Sequence, residues 1–181
     1  MARSSAWEGL TYRPLEAPGR EARELYGFVG AWAPPEAAVD CGWGAFSGPR
    51  LVGALLMETS GPSGMLHGPV VIPPEGEDTG GPPASPAEPA GEPLEIAARL
   101  LTEALAHVGT RGIDTLFTRP QGLDPVWVRL GFIPVPEVEL PRGFRERPGV
   151  GLFAWRGGTA LWSAGSRAVP SRSSSSSRAR R

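Results

Sequence analysis

Few residues of this chain could carry acid–base or nucleophilic chemistry, and two of them fall on consecutive predicted strands. Glu58 ends an apolar run and His67 lies on the following strand, and either side chain could accept a proton. The simpler alternatives are a solvated glutamate at a strand end and a hydrogen-bonded histidine. His107 falls in the last turn of a predicted helix, where a positive charge is mildly favourable, and we assign it no role. Cys41 has no evident base nearby, which favours a structural thiol over a nucleophile.

Other kinds of chemistry find no support in the sequence. The two histidines and the single cysteine are too widely separated for metal ligands, and the chain has no lysine for a Gly-Lys-Ser/Thr nucleotide loop. Residues 1–158 contain 13 arginines and 19 acidic residues, so this part gives no electrostatic reason to expect nucleic acid binding. No apolar run approaches the roughly 18 residues of a membrane span, and the N-terminal residues have no signal-peptide core. A single cysteine excludes an internal disulfide and fits a reducing, cytoplasmic location.

The chain has 25 glycines and 21 prolines among 181 residues, and such residues interrupt the elements that must position Glu58 and His67. Period-2 alternation and buried apolar runs predict strands at 10–15, 39–46, 51–57, 65–72, 113–118, 134–140 and 150–155. Helical periodicity predicts helices at 20–32, with Leu25, Phe28, Val29 and Trp32 on one face, and at 92–108, with Gly109 as the glycine after its end. Asp124-Pro125 caps and begins a third, short helix.

This order of elements is β-α-βββ-α-β-α-ββ. A helix between the strands at 65–72 and 113–118 predicts a parallel crossover, whereas hairpins join most of the others, so the sheet is mixed. Residues 73–91 are too rich in proline, glycine and acids for a packed element, and we expect a disordered or functional loop. Residues 159–181 carry five arginines, no acid and a serine run, which predicts a disordered tail after one domain at 1–158.

Three stretches in this order resemble motifs of one family. Arg129-Leu-Gly-Phe132 closes a short helix before the last hairpin, Gly64 to Pro73 ends in a Val-x-Pro-like sequence, and Arg50-Leu-Val-Gly53 opens a strand. Together they resemble the GNAT superfamily of acyl-CoA N-acyltransferases over roughly residues 10–156. We expect Gly131 to adopt a left-handed conformation that ends the helix, and Phe132 to anchor the turn in the core.

The resemblance implies an α/β (α+β) fold, a mixed but mostly antiparallel sheet flanked by helices. Strands 65–72 and 113–118 would be parallel and splayed, with a bulge at Gly68-Pro69 opening the gap. The co-substrate would be acetyl-CoA, whose pantetheine arm would pair with the exposed backbone of Val70, Val71 and Ile72. An ordinary core strand with a kink is the alternative.

Two family features are altered. The loop that binds pyrophosphate would be Glu92 to Ala97, in which only Ala97 keeps the family pattern, so a helix capped by its own acids is favoured over a phosphate site. Gly80-Gly81 or Gly91 could supply N–H groups instead. Trp127 replaces a tyrosine that can protonate the leaving thiolate, and indole cannot act as that acid. Trp127 is then expected to pack, against the acyl end of a bound ligand.

Within the resemblance, Glu58 is the first candidate for the base that takes the proton of the amine, and His67 is the second. The implied function is acyl-CoA-dependent N-acetyl transfer to a small-molecule or protein amine. A catalytically inactive GNAT-fold binding or regulatory module is the alternative, and a third hypothesis gives the arginine tail a role on anionic surfaces. Pairing through the last strands would give a homodimer.

Overall fold

The computed structural model describes residues 9–72 and 91–157, with Gly91 and Glu92 described for the backbone only. The loop at 73–90 and the tail at 158–181, for which we predicted disorder, lie outside these residues. The elements in chain order are β1 (Thr11–Pro14), α1 (Pro18–Glu21), α2 (Arg23–Phe28), β2 (Cys41–Ser47), β3 (Arg50–Ser60), β4 (Ser63–Val71), α3 (Gly91–Thr110), β5 (Thr115–Thr118), α4 (Asp124–Arg129), β6 (Ile133–Pro134) and β7 (Phe153–Arg156). This succession confirms the predicted order.

The strands form one sheet in the order β1-β2-β3-β4-β5-β7-β6. Every neighbouring pair is antiparallel except β4 and β5, which are parallel as the crossover helix predicted. The edge strand β1 ends at Pro14, which cannot donate to a further ladder. Tight turns with Gly48 and Gly61 connect β2 to β3 and β3 to β4. The predicted mixed sheet is therefore confirmed.

Alternation along the central strands sends apolar side chains to both faces of the sheet. On one face, α3 and α4 bury Leu55, Met57, Leu66 and Leu116. On the other face, α1 and α2 cover Ala54, Leu56 and Val70. The segment between β6 and β7 covers the neighbouring part of that second face, where Phe144 and Leu152 meet Met65 and Phe117. None of the helices in the described part combines the length and apolarity needed to cross a bilayer.

The first helical region is shorter than predicted. In place of one helix over 20–32, α1 and α2 meet at Ala22, and α2 ends at Phe28, whose side chain is 70% exposed. Gly30 has a φ of 69°, its N–H donates to Gly27, and the N–H of Ala31 donates to Tyr26. These bonds form a Schellman motif, which satisfies the last carbonyls and stops the helix. Trp32 therefore lies in a loop rather than on a helix face.

Other boundaries also differ from prediction, among them the start of the last strand, which is Phe153 rather than residue 150. The helix α3 continues to Thr110, and the left-handed glycine after it is Gly112 rather than Gly109. Leu123, not Asp124, precedes the first residue of α4 and makes no side-chain cap. The strand predicted at 134–140 is reduced to Ile133–Pro134, because Pro134 and Pro136 lack the N–H groups that a ladder needs. Gly131 has a φ of 87° and Phe132 is buried, which confirms the predicted end of α4.

Candidate active site

The strands β4 and β5 diverge, as predicted. Residues Ser63 to Leu66 pair in register with Thr115 to Thr118, where β5 ends. The strand β4 continues to Val71, paired with β3 but no longer with β5. Ala54 pairs with Val70 and Leu56 pairs with His67, so Gly68 and Pro69 both stand opposite Leu55. Two residues facing one define a β-bulge, at the predicted position. Beyond the bulge, β4 has an edge that β5 does not cover.

A groove of about 240 Å³ follows this open edge. Pro69, Val70 and Val71 line it from β4, and Gln121 and Leu123 line it from the loop after β5. Residues 29–31, which follow α2, and Pro93 in the first turn of α3 complete its walls. The groove is thus bounded by β4, by the loop after β5 and by the ends of the two neighbouring helices.

Backbone polar groups face this groove from Val71. The N–H of Ile72 donates to the carbonyl of Val52 at 2.8 Å, so Ile72 is bonded to β3. Because N–H and C=O groups alternate in direction along a strand, those of Val71 point away from β3, towards the open edge. The side chain of Ile72 lines a separate hollow beside Leu25 and Phe28. Of the three predicted arm-binding residues, the structure therefore turns the backbone groups of Val71 to the groove, whereas those of Val70 and Ile72 point to β3, and Val70 is one of the residues that line the groove.

A polar bridge lies beside the groove. The side-chain oxygen of Gln121 accepts from the N–H of Trp32 at 3.0 Å, and its amide donates to the carbonyl of Trp32 at 3.4 Å. These two bonds join the loop after β5 to the loop after α2. Trp32 in turn stacks at a 60° tilt on His67, with ring centroids 5.3 Å apart. Trp32 thus links the loops that line the groove to His67, and neither His67 nor Glu58 is itself a lining residue.

Glu58 and His67 form a buried cluster with Arg147. The Nε and one terminal nitrogen of Arg147 donate to the two carboxylate oxygens of Glu58 at 2.8 and 2.6 Å. His67 Nε2 is 2.7 Å from Glu58 Oε1, but the oxygen is out of line with the N–H direction, so this is a close polar contact rather than a hydrogen bond. Glu58 is thus not the solvated strand-end residue of the simpler alternative.

The cluster determines the charge state of Glu58. Burial alone raises the pKa of its carboxyl, but the contacts with His67 and Arg147 outweigh burial and lower the pKa from 4.5 to about 2. The same ion pair raises the pKa of Arg147. Glu58 is therefore an anion at neutral pH with both oxygens occupied. On the same face, the Tyr26 hydroxyl donates to the carbonyl of His67 at 2.5 Å, and burial raises the pKa of that phenol.

Solved acetyltransferases share this architecture along most of the chain. An acetyltransferase of the GNAT family from Staphylococcus aureus Mu50 matches with a TM-score of 0.57 and 12% identity, over 82% of this chain and 99% of that one. The catalytic domain of the Tetrahymena GCN5 histone acetyltransferase, in complex with coenzyme A, matches with a TM-score of 0.53 and 12% identity, over 82% and 93% of the two chains. The chain has the GNAT fold. N-acetylglutamate synthase from Neisseria gonorrhoeae, complexed with coenzyme A and L-arginine, matches with a TM-score of 0.55 and 15% identity, over 81% of this chain and 33% of its own.

This GNAT fold is related to those structures by shape more than by sequence. Neither a protein-family model nor a curated protein matches the chain. The wedge between β4 and β5 and the bulge at Gly68-Pro69 are nevertheless present in this chain.

Two residues predicted to touch a ligand are buried in the GNAT fold instead. Ala97 lies in the second turn of α3, which begins at Gly91, and its side chain is in the core. Its N–H is within the helix rather than free for a phosphate, so Glu92 to Ala97 is a helical segment and not a loop. Trp127 is fully buried with its ring edge-on to Phe132 at 4.9 Å. Neither side chain lines the groove.

Sequence reasoning missed Arg147, Trp32 and Gln121. Arg147 lies 89 residues from Glu58, and Gln121 lies 89 residues from Trp32. No local pattern links residues at such separations, and only the topology of the GNAT fold brings them together. Cys41 takes no part in the site, and burial raises the pKa of its thiol to about 11, consistent with a structural role. Among the described residues, no group of potential ligands is placed to hold a metal ion.

Proposed function

We propose that this protein is an acyl-CoA-dependent N-acetyltransferase that transfers an acetyl group to an amine. The observation that carries the proposal is the open edge of β4, with the backbone of Val71 facing a groove whose wall is linked through Trp32 to His67 and its neighbour Glu58. Amide groups of a pantetheine arm can pair with such an edge as an added strand would. The coenzyme A named in the structures of two similar folds fits this geometry.

In the reaction, the amine nitrogen bonds to the thioester carbonyl carbon as the carbon–sulfur bond breaks, and the electron pair leaves on sulfur. Glu58 is the first candidate to receive the proton that the amine loses, directly or through water, and His67 is the second. The sulfur leaves as a thiolate and takes a proton from water, because Trp127 offers no acid at the groove. The acetyl group ends on nitrogen, and the thiol is released.

The first turn of α3 predicts weak binding of the cofactor pyrophosphate. Pro93 lacks an N–H, and Ala97, the residue that keeps the family pattern, is internal to the helix. Pantetheine contacts must therefore contribute most of the affinity for acetyl-CoA. We place the arm on Val70 and Val71, and we no longer assign Ile72, Ala97 or Trp127 a direct contact.

A titration calorimetry experiment with acetyl-CoA, combined with an assay of thiol release in the presence of amines, tests this function. Ala31→Trp should fill the groove and abolish the heat of acetyl-CoA binding. Ala37→Trp places the same ring on an exposed turn and should bind like the wild type. Absence of both heat and a thermal upshift with the wild-type protein would contradict the proposal.

A second function is favoured by the state of Glu58. Arg147 donates to both of its oxygens, and tryptophan stands at position 127 in place of a tyrosine acid. Both features suit a GNAT-fold binding or regulatory module without catalysis. Acetyl-CoA would then bind the wild type but not Ala31→Trp, and no amine would release thiol. Thiol release that depends on amine and falls about 100-fold or more in Glu58→Gln would exclude this alternative.

A further inference from the structure

Arg147 lies between solvent and the two candidate bases. Its side chain is 19% exposed, whereas those of Glu58 and His67 are 5% and 3% exposed. Its guanidinium carbon is also 5.9 Å from the centre of the Trp32 ring. A molecule that approaches Glu58 from solvent therefore meets the more exposed Arg147 first.

The bidentate ion pair between Arg147 and Glu58 makes the exposed position of Arg147 important. Arg147 donates to both oxygens of Glu58, which makes that carboxylate a poor acceptor for the proton of an amine until the guanidinium moves. Moving it exposes a cation that keeps its charge at any physiological pH. A simple amine offers this cation no new partner, whereas an acidic group on the acceptor does.

We propose that Arg147 binds a carboxylate of the acceptor, so that the substrate class is an amine that also carries a nearby carboxylate. This inference rests on the proposed acetyl transfer. The acceptor carboxylate takes the guanidinium from Glu58, and its amine meets the freed Glu58 beside His67. Trp32 provides a ring on which the guanidinium rests in either position. The exchange leaves one carboxylate on Arg147 throughout, and the proton of the amine passes to Glu58 as its nitrogen becomes acetylated.

The test compares common amino acids and short acidic peptides with their matching carboxamides as acceptors of acetyl-CoA. The wild type should favour at least one acid over its amide by about tenfold or more in kcat/KM, as expected for a charge-assisted pair. Arg147→Gln should bring that ratio close to one, mainly by raising KM for the acid. Arg147→Lys should retain part of the preference. Arg23→Gln removes an exposed arginine of the pair with Glu36 and should leave the ratio unchanged.

Equal use of acids and amides by the wild type, or an unchanged ratio in Arg147→Gln, would overturn the inference. A uniform gain in kcat/KM for all amines in Arg147→Gln would show that Arg147 only blocks Glu58, which also overturns the inference.

If Arg147→Gln unfolds, the double variant Glu58→Gln/Arg147→Gln removes both charges of the ion pair. Calorimetric binding of the same acids and amides then replaces the measurement of kcat/KM. The same binding measurement also applies if no amine releases thiol. If the wild type then binds acids more tightly than amides and the double variant does not, the inference is supported even though acetyl transfer fails. Absence of this binding preference refutes the inference.

Discussion

The hydroxyl of Thr118 donates a hydrogen bond to the carbonyl of Leu66 at 3.2 Å, and these two residues are the last in register between β4 and β5. Both are buried. The bond therefore lies at the end of the parallel ladder. Beyond it β4 continues to Val71 without β5, and its residues from Pro69 to Val71 line the groove.

Thr118→Val should lower stability by about 1–2 kcal/mol, because it keeps the side-chain shape but removes the donor from a buried carbonyl. Thr115→Val is the matched control at the other end of β5, where the hydroxyl contacts Asp114 at an exposed position. Urea unfolding of both variants measures the difference. Equal stabilities would mean that the Thr118 hydroxyl does not maintain the divergence point.

The parallel pairing of β4 with β5 and the interruption at Gly68-Pro69 could be predicted from local sequence, whereas the splaying of the two strands was implied only by the resemblance to the GNAT superfamily. A helix-length segment between two apolar runs requires a parallel crossover, and Gly68-Pro69 interrupts the β4 ladder at one place. The end of α2 could not be predicted by the same periodicity. Phe28 and Trp32 fit a helical stripe, yet the Schellman bonds at Gly30 stop the helix between them.

The candidate site was only partly predictable for a different reason. Glu58 and His67 were identified by residue type and strand position, and the structure brings them to 2.7 Å. Arg147, which together with His67 lowers the pKa of Glu58, comes from an irregular segment between β6 and β7 that carries no periodic pattern. Its contact with Glu58 depends on how that segment crosses the sheet, and this is settled by tertiary packing rather than by local sequence.

Gly131→Ala should destabilise the protein by about 1 kcal/mol. The φ of 87° at Gly131 is costly for a residue with a Cβ, although the nearest atom to that Cβ would be 3.8 Å away on Trp155, so steric overlap adds nothing. Gly27→Ala is the matched control, because Gly27 lies in α2 with open space around it. There alanine should stabilise by about 0.5–1 kcal/mol. Thermal unfolding of both variants gives the comparison, and a stabilising Gly131→Ala would contradict the left-handed turn.

The lowered pKa of Glu58 predicts a loss of stability in acid. A carboxyl whose pKa is about 2 when folded and 4.5 otherwise stabilises the folded state fully above pH 4.5. Its contribution of roughly 3 kcal/mol then disappears as the pH falls through about 2. Urea unfolding should show that Glu58→Gln loses less stability than the wild type over this range. Glu36→Gln, which alters an exposed carboxylate, should follow the wild-type curve. Parallel curves for the wild type and Glu58→Gln would rule out the buried ion pair.

Substitution of Trp127 tests whether the missing acid can be restored by a single change. If this position faced the groove, Trp127→Tyr would supply a phenol to protonate the leaving thiolate, and thiol release would exceed that of Trp127→Phe. The structure predicts otherwise, because the side chain is fully buried against Phe132 and is separated from the groove. Both variants should therefore release thiol at the same rate, and both should lose about 1–3 kcal/mol of stability because the smaller rings leave a void. A rate of thiol release about tenfold higher for Trp127→Tyr than for Trp127→Phe would place position 127 at the reacting sulfur, and the proposed groove would then be wrong.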